Sequence, residues 1–182
     1  MIPIILAAGE SKRFGLQKLN YPYRGKPLIQ WAIDVVEENF SEGLLIISQT
    51  LDLSKARVRK LKLILNKNPE LGLSNSIKLG LMAAGGKDVI IFLGDMPEID
   101  SELVQKVMSF SKDKIVFPNF NGVKGFPVFI PAGYLKSACE IEGDRGLRDL
   151  IMRSEYITFE WTRSCIFDVD LPEDLEGAGE DG

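Results

Sequence analysis

Short, continuous apolar runs alternate along this chain with longer stretches in which apolar residues recur every three or four positions. Ile2 to Leu6 is unbroken apolar sequence, the pattern of a strand buried on both faces of a parallel sheet. Leu44 to Ile47 and Val89 to Leu93 repeat it, with shorter runs at Leu63 to Leu65, Ile115 to Phe117 and Phe126 to Ile130. Tyr156 to Glu160 and Cys165 to Val169 read as late strands. Between them, Leu28, Trp31, Ala32, Val35 and Val36 keep helical spacing, with Pro27 where that helix starts. Leu53 to Leu61 is a short helix candidate, and Ser74 to Ala84 places Ile77, Leu81 and Ala84 on one helical face. Asp100 stands where it would cap a helix carrying Leu103, Val104, Val107 and Met108. A last such face follows Gly143-Asp144-Arg145-Gly146, through Leu147, Leu150 and Ile151. Turns are expected at Arg24-Gly25 and Asn121-Gly122.

Strands alternating with helices predict an α/β single-domain fold: a Rossmann-like, mostly parallel sheet with helices on both faces. The stretch from about Ile115 to Ile130 breaks that rhythm with a hairpin-like excursion. The expected domain is 1–176, and the small, acidic residues 177–182 read as a frayed tail.

Composition narrows the chemistry. The 182 residues are 45% hydrophobic and 26% charged, ordinary values for a chain with a full core. A net charge of -4 argues against a nucleic-acid surface, and no apolar run approaches a membrane span of about 20 residues. With no leader-like segment ahead of Ile2, a cytoplasmic protein is expected. There is no histidine, and Cys139 and Cys165 form no CxxC pair, so a zinc site or a redox dithiol is not expected. The commonest general base is missing. Chemistry must run on carboxylates, lysines, arginines, backbone donors or a metal held by oxygen.

The loop after the first strand, Leu6-Ala7-Ala8-Gly9-Glu10-Ser11-Lys12-Arg13-Phe14-Gly15-Leu16-Gln17-Lys18, falls at the carboxyl end of the sheet, where open sheets of this type bind ligands. Ser11 and exposed N–H groups offer donors to phosphate oxygens. Lys12, Arg13 and Lys18 bring three positive charges within seven residues, Arg13 as a fork and Lys18 as a point charge. Five residues separate Gly9 from Gly15 and Leu16-Gln17 follow, so this is neither a Walker loop nor a dinucleotide fingerprint. A plain surface loop with solvated cations is the competing reading.

Acids supply the other half. Asp95, in Gly94-Asp95-Met96-Pro97, follows the most apolar strand and would face the ligand crevice. Mg²⁺ prefers one or two carboxylates plus phosphate oxygens and water. The alternative for Asp95 is a turn carboxylate ahead of a helix, and Glu98 and Asp100 both read as serving that helix start. Asp168 and Asp170 share one side of an extended segment and are candidates for a second ligand or for a helix cap ahead of Pro172. Ser74 and Ser76 read first as helix caps.

Taken together, Leu-Ala-Ala-Gly-x-Ser-x-Arg-Phe-Gly-x-x-Lys and Gly25-Lys26-Pro27-Leu28 resemble the opening of the molybdenum cofactor nucleotidyltransferases, which have a GT-A-like fold. Gly-Asp-Met-Pro resembles that family's metal-binding segment, and Asp168-Val169-Asp170 with Pro172-Glu173-Asp174 resembles its late acidic one, departing at Leu171 where the family often has threonine. The resemblance covers the chain from residue 3 to about 175. It implies that Leu6, Ala7, Ala8, Gly9, Ser11, Arg13 and Lys18 hold a nucleoside triphosphate, with Asn68, Gly72 and Ser74 near its base and ribose. It implies that Arg13, Lys18 and Asp95 are catalytic and that Asp95 and Asp170 bind Mg²⁺. Gly125 and Arg145 would face the acceptor, although Phe126 stands where the family usually carries a polar residue and is equally a core side chain. The cytidylyltransferase branch carries Ala where the guanylyltransferase branch carries Gly, so Ala8 favours CTP.

The implied reaction is attack by a phosphate of a molybdopterin-type acceptor on the α-phosphate of CTP, with release of pyrophosphate. A phosphate monoester has a second pKa of about 6 and needs no general base at neutral pH, which suits a chain without histidine. The rival substrates are GTP, or another acceptor such as a sugar phosphate or phospholactate. The rival class is a non-catalytic nucleotide-binding module or chaperone with a molybdoenzyme as its partner.

Overall fold

A computed structural model of the chain describes residues 1–9, 17–110, 113–140, 146–170 and 173–176. The predicted apolar runs become the strands β1 (Ile2–Ala7), β4 (Gly43–Ile47), β5 (Leu61–Leu65), β6 (Val89–Leu93), β7 (Ile115–Phe120), β9 (Val128–Ile130) and β10 (Tyr156–Glu160). Two short hairpins form where the turn residues predict them. Arg24 and Gly25 both have positive φ between β2 (Pro22–Tyr23) and β3 (Lys26–Pro27), as do Asn121 and Gly122 between β7 and β8 (Val123–Lys124). The helices are α1 (Leu28–Asn39), α2 (Leu73–Ala83), α3 (Ser101–Ser109), α4 (Leu135–Cys139), α5 (Gly146–Met152) and α6 (Glu173–Glu176).

The strands form an eight-stranded sheet in the order β10-β7-β9-β6-β1-β4-β5, with β8 paired to β7. β1 runs parallel to both β4 and β6, while β9 is antiparallel to its neighbours β6 and β7. The sheet is therefore mostly parallel, and the Ile115–Ile130 excursion supplies its antiparallel member. Alternate β1 residues feed two separate cores. Ile5 and Ala7 pack with Ile29, Ile33 and Val36 of α1 and Leu103, Val104 and Val107 of α3. Ile4, Leu6 and Ala8 pack on the other face with Ile77 and Leu81 of α2 and Leu147, Leu150 and Ile151 of α5. A strand buried on both faces needs apolar residues at every position, which is why β1, β4 and β6 read as unbroken runs.

Connectivity locates the site. From β1 the chain crosses through α1 to β4 and then β5, and it returns through α2 to β6 on the opposite side of β1. The carboxyl ends of β1 and β6 thus flank the point where the winding reverses, the place where open α/β sheets leave a crevice.

Three predicted elements differ. Residues 53–60 form turns rather than a helix, because side chains of α1 take their backbone donors: Gln30 Oε1 accepts from Arg57 N at 2.7 Å, and Glu37 Oε1 accepts from Arg59 N and Lys60 N at 2.6 and 2.8 Å. Strand β5 correspondingly starts two residues before the predicted run, at Leu61. Cys165 to Val169 is no strand of the sheet. A 3-10 turn at Arg163–Cys165 precedes a segment joined to the rim through the backbone bond from Val169 N to Asp95 O at 3.0 Å. Among the described residues no helix is long and apolar enough to cross a membrane. The tail 177–182 lies outside the described residues.

Candidate nucleotide and metal site

Gly94 closes β6 against β1. Its N–H donates to Leu6 O at 2.9 Å, and a Cβ there would stand 2.8 Å from Ile29 Cδ1 and 3.3 Å from Ala7 Cβ. Only glycine lets the strand end this close to its neighbour, and the next residue, Asp95, is thereby delivered to the crevice. From the opposite wall comes Lys18, at the start of a 3-10 turn spanning Lys18–Asn20. Its ammonium lies 2.8 Å from Asp95 Oδ2 and 3.2 Å from Asp170 Oδ1, and it donates to Val169 O at 2.7 Å. Three acceptors from two distant parts of the chain converge on one ammonium with three donors.

The Lys18 side chain is 14% exposed and that of Asp95 22%, so this attraction is screened less than a surface pair's. Burial on its own would lower the Lys18 pKa, but the charges and hydrogen bonds of Asp95 and Asp170 outweigh it, and the net direction is upward. Asp168 moves up as well: desolvation, then the nearby charges of Asp170 and Asp95, disfavour its carboxylate more than Lys18 favours it. Three carboxylates therefore share one corner of the crevice, two of them on the same cation.

That arrangement bears on the metal chemically. Asp95 and Asp170 point hard oxygen ligands at a position already holding positive charge. Among the described residues no group of three acidic, cysteine or histidine side chains could by itself hold a metal ion. Two carboxylates with the remaining positions left to phosphate oxygens and water is the ligand set Mg²⁺ favours. Asp170 also meets α6 through its backbone. Its own N–H donates to Asp174 Oδ2 at 2.9 Å, so the carboxylate of α6 reaches back and that of Asp170 stays turned to Lys18.

The other predicted residues distribute around the same rim. Leu6, Ala7 and Ala8 are buried in the two cores, so what they offer a ligand is backbone, whereas Gly9 has open space beside its Cα. Gly72, with φ of +84°, is the N-cap of α2, and the helix begins at Leu73 without a side-chain cap. This corrects the capping reading of the serines: Ser74 is buried inside the first turn, and Ser76 Oγ accepts from Asn66 Nδ2 at 3.0 Å. Asn68 is held by its backbone, its N–H donating to Asn66 Oδ1 at 2.9 Å and its carbonyl accepting from Asn75 Nδ2 at 3.2 Å. Asp100 does cap α3, accepting from Leu103 N at 2.8 Å. Glu98 does not serve that helix. It accepts from Tyr23 Oη at 3.3 Å and pairs with Arg24 at 3.5 Å, tying the β2–β3 hairpin to the loop after β6. Gly125 is set against the Cys165 segment, and Phe126 packs against both cores. Ser11, Arg13, Asp144, Arg145, Leu171 and Pro172 lie outside the described residues.

Sequence reasoning passed over three contributors. Asn66 is 1% exposed directly after β5 and organises the rim, accepting from Asn68 N and Asn75 Nδ2. Gln17 Nε2 donates to Thr50 Oγ1 at 2.9 Å, fastening the segment before Lys18 to the turn after β4. The Val169 carbonyl carries no side-chain signature at all. Asn66 was open to detection, as a polar residue directly after a strand run. The buried polar residues among those described are Gln30, Ser48, Asn66, Ser74 and Ser76, and all but Gln30 sit on this carboxyl rim.

Residues 3–157 match the family described as the MobA-like NTP transferase domain. The chain belongs to this family of nucleotidyltransferases. Among its relatives is the molybdenum cofactor cytidylyltransferase of Escherichia coli, 25% identical over 181 residues that cover 97% of this chain and 94% of that protein. Another is a probable molybdenum cofactor guanylyltransferase of Pyrococcus horikoshii, 26% identical over 194 residues, covering 96% of this chain and 97% of that one. The fold matches molybdopterin-guanine dinucleotide biosynthesis protein A of Archaeoglobus fulgidus with a TM-score of 0.74 at 18% identity, over 99% of this chain and 97% of that one. It also matches a Mycobacterium tuberculosis protein solved as a manganese complex, with a TM-score of 0.74 at 17% identity, over 100% of this chain and 98% of that one. The transferase thus shares its overall fold with these solved structures.

Proposed function

We propose that this transferase moves CMP from CTP to the terminal phosphate of a molybdopterin-type acceptor and releases pyrophosphate, with Mg²⁺ as its metal. The observation that carries the reading is the convergence of Lys18, Asp95 and Asp170 at the reversal point of the sheet. Lys18 and Arg13 bind the triphosphate, with the loop 6–9 supplying backbone donors. The N-terminus of α2, at Gly72 and Ser74, faces the same rim and favours negative charge. Asp95 and Asp170 hold the metal, which when bound offsets charge on the phosphates. We assign Gly125 and Arg145 to binding of the acceptor. An acceptor phosphate is mostly dianionic above pH of about 6, so no residue here need remove a proton. Catalysis is then positioning and charge neutralisation.

Ala8 and the nearly full-length likeness to a cytidylyltransferase support CTP, while the guanylyltransferase relatives favour GTP as the second reading. Pyrophosphate release measured in parallel with CTP and GTP, in Mg²⁺ and in Mn²⁺, decides between them. Faster turnover with CTP is expected, and an enzyme that uses only GTP overturns the CTP assignment. Asp95→Asn is expected to abolish turnover with an unchanged circular dichroism spectrum. A metal-dependent, active Asp95→Asn enzyme would remove Asp95 from the ligand set.

A further inference from the structure

Lys18 and the proposed metal compete for the same two carboxylates. Lysine at a nucleotidyl-transfer site is expected to face phosphates, yet here its ammonium lies against Asp95 Oδ2, Asp170 Oδ1 and Val169 O at 2.8, 3.2 and 2.7 Å. Those are the distances of charge-assisted hydrogen bonds. The same contacts join the loop after β1 to a segment 151 residues further on, and the Val169 N–H to Asp95 O bond closes the ring. Without a cation between them, Asp95, Asp168 and Asp170 would repel one another across a crevice partly removed from water. A divalent ion on Asp95 and Asp170 would in turn sit beside an ammonium, and like charges that close repel one another.

We infer that Lys18 is a stand-in cation: it holds the two carboxylates together and competes with the metal for them until phosphate oxygens arrive to receive its ammonium. Metal and nucleotide then bind as a coupled pair. The triphosphate supplies the negative charge that draws Lys18 away, and the departing Lys18 opens the carboxylates. By linkage the metal must strengthen nucleotide binding by the factor by which the nucleotide strengthens metal binding. Lys18 is in this respect a positioning residue, acting on the order of assembly and not on the reacting atoms. The inference rests on the proposed assignment of Asp95 and Asp170 to the metal.

Mn²⁺ binding followed by electron paramagnetic resonance, with and without CTP, tests it. Wild-type enzyme should bind Mn²⁺ weakly alone and more tightly with CTP. Lys18→Gln should bind Mn²⁺ alone about tenfold or more tighter than wild type, because the competing charge is gone, and CTP should tighten it by a smaller factor than in wild type. An unchanged Mn²⁺ affinity in Lys18→Gln overturns the inference, provided Asp95→Asn loses Mn²⁺, since the site is then right and the clasp wrong. Asp95→Asn that keeps wild-type Mn²⁺ binding shows that the site assignment itself fails. A second readout needs no variant. Acetylation of Lys18 by an amine reagent, followed by mass spectrometry, should rise when saturating Mn²⁺ is added alone and fall again with CTP. Labelling that ignores Mn²⁺ already bound at Asp95 overturns the inference equally.

Discussion

Cys165 shows how one residue can be read wrongly from its neighbours in sequence. It lies in an apolar run that predicts a strand, yet it is fully buried in a 3-10 turn set against Gly125. A Cβ on Gly125 would run into Cys165 O and stand 2.7 Å from its Sγ, so the glycine is there for contact between two backbones. Gly125→Ala is expected to destabilise the protein by about 2 kcal/mol, seen as a lower urea midpoint. Burial pushes the Cys165 thiol up to about 11 from an ordinary 9.0. A group raised in the folded state contributes its stability below its unfolded value and loses it as pH rises through the folded one. Cys165 should therefore stay neutral and resist iodoacetamide at pH 8, and native stability should fall between about pH 9 and 11. Labelling of Cys165 in the native protein at pH 8 would contradict this burial. Of the site residues, Asp95 was legible from its place after a strand. The Val169 carbonyl was not, because every residue has one.

At the scale of elements, periodicity was informative wherever burial was one- or two-sided and regular. Helix α1 begins where Pro27 predicts it, and α3 carries the cap read at Asp100. Asp100→Ala should cost about 1 kcal/mol in a thermal melt, the usual worth of an N-cap. Residues 53–60 failed because their backbone donors are claimed by Gln30 and Glu37, residues more than twenty positions away. Helix α2 makes the opposite point. Gly80 lies mid-helix, where alanine would be preferred by about 1 kcal/mol. A Cβ there would meet Ile4 Cγ2 at 2.8 Å, so Gly80→Ala is expected to destabilise despite its better helix propensity, which chemical denaturation can measure. An increase in stability would show that α2 can lift from β1 without loss.

For the whole molecule, the decisive fact is that β1 and β6 are neighbours although more than eighty residues separate them. Their shared carboxyl edge brings Lys18 and Asp95 together, and the segment after β10 closes over both through Val169 and Asp170. Truncation after Phe167 should therefore lower the melting temperature, since Val169 is fully buried, and should abolish metal-dependent pyrophosphate release. A truncated enzyme with normal turnover would remove Asp170 from the site.

By itself the sequence determined the alternation of strands and helices and the two tight turns. Each of these is a local matter of period, φ preference or residue type. It also marked Asp95, because a carboxylate after a buried strand has few places to point. Only the tertiary structure decided that the Asp170 carboxylate meets Lys18 beside that of Asp95, that Glu98 turns to the β2–β3 hairpin, and that Asn66 orders the rim. Only it set Lys18 between the two carboxylates. Those outcomes depend on contacts between segments far apart in the chain, where electrostatic attraction and shared backbone hydrogen bonds act through space and leave no period to read.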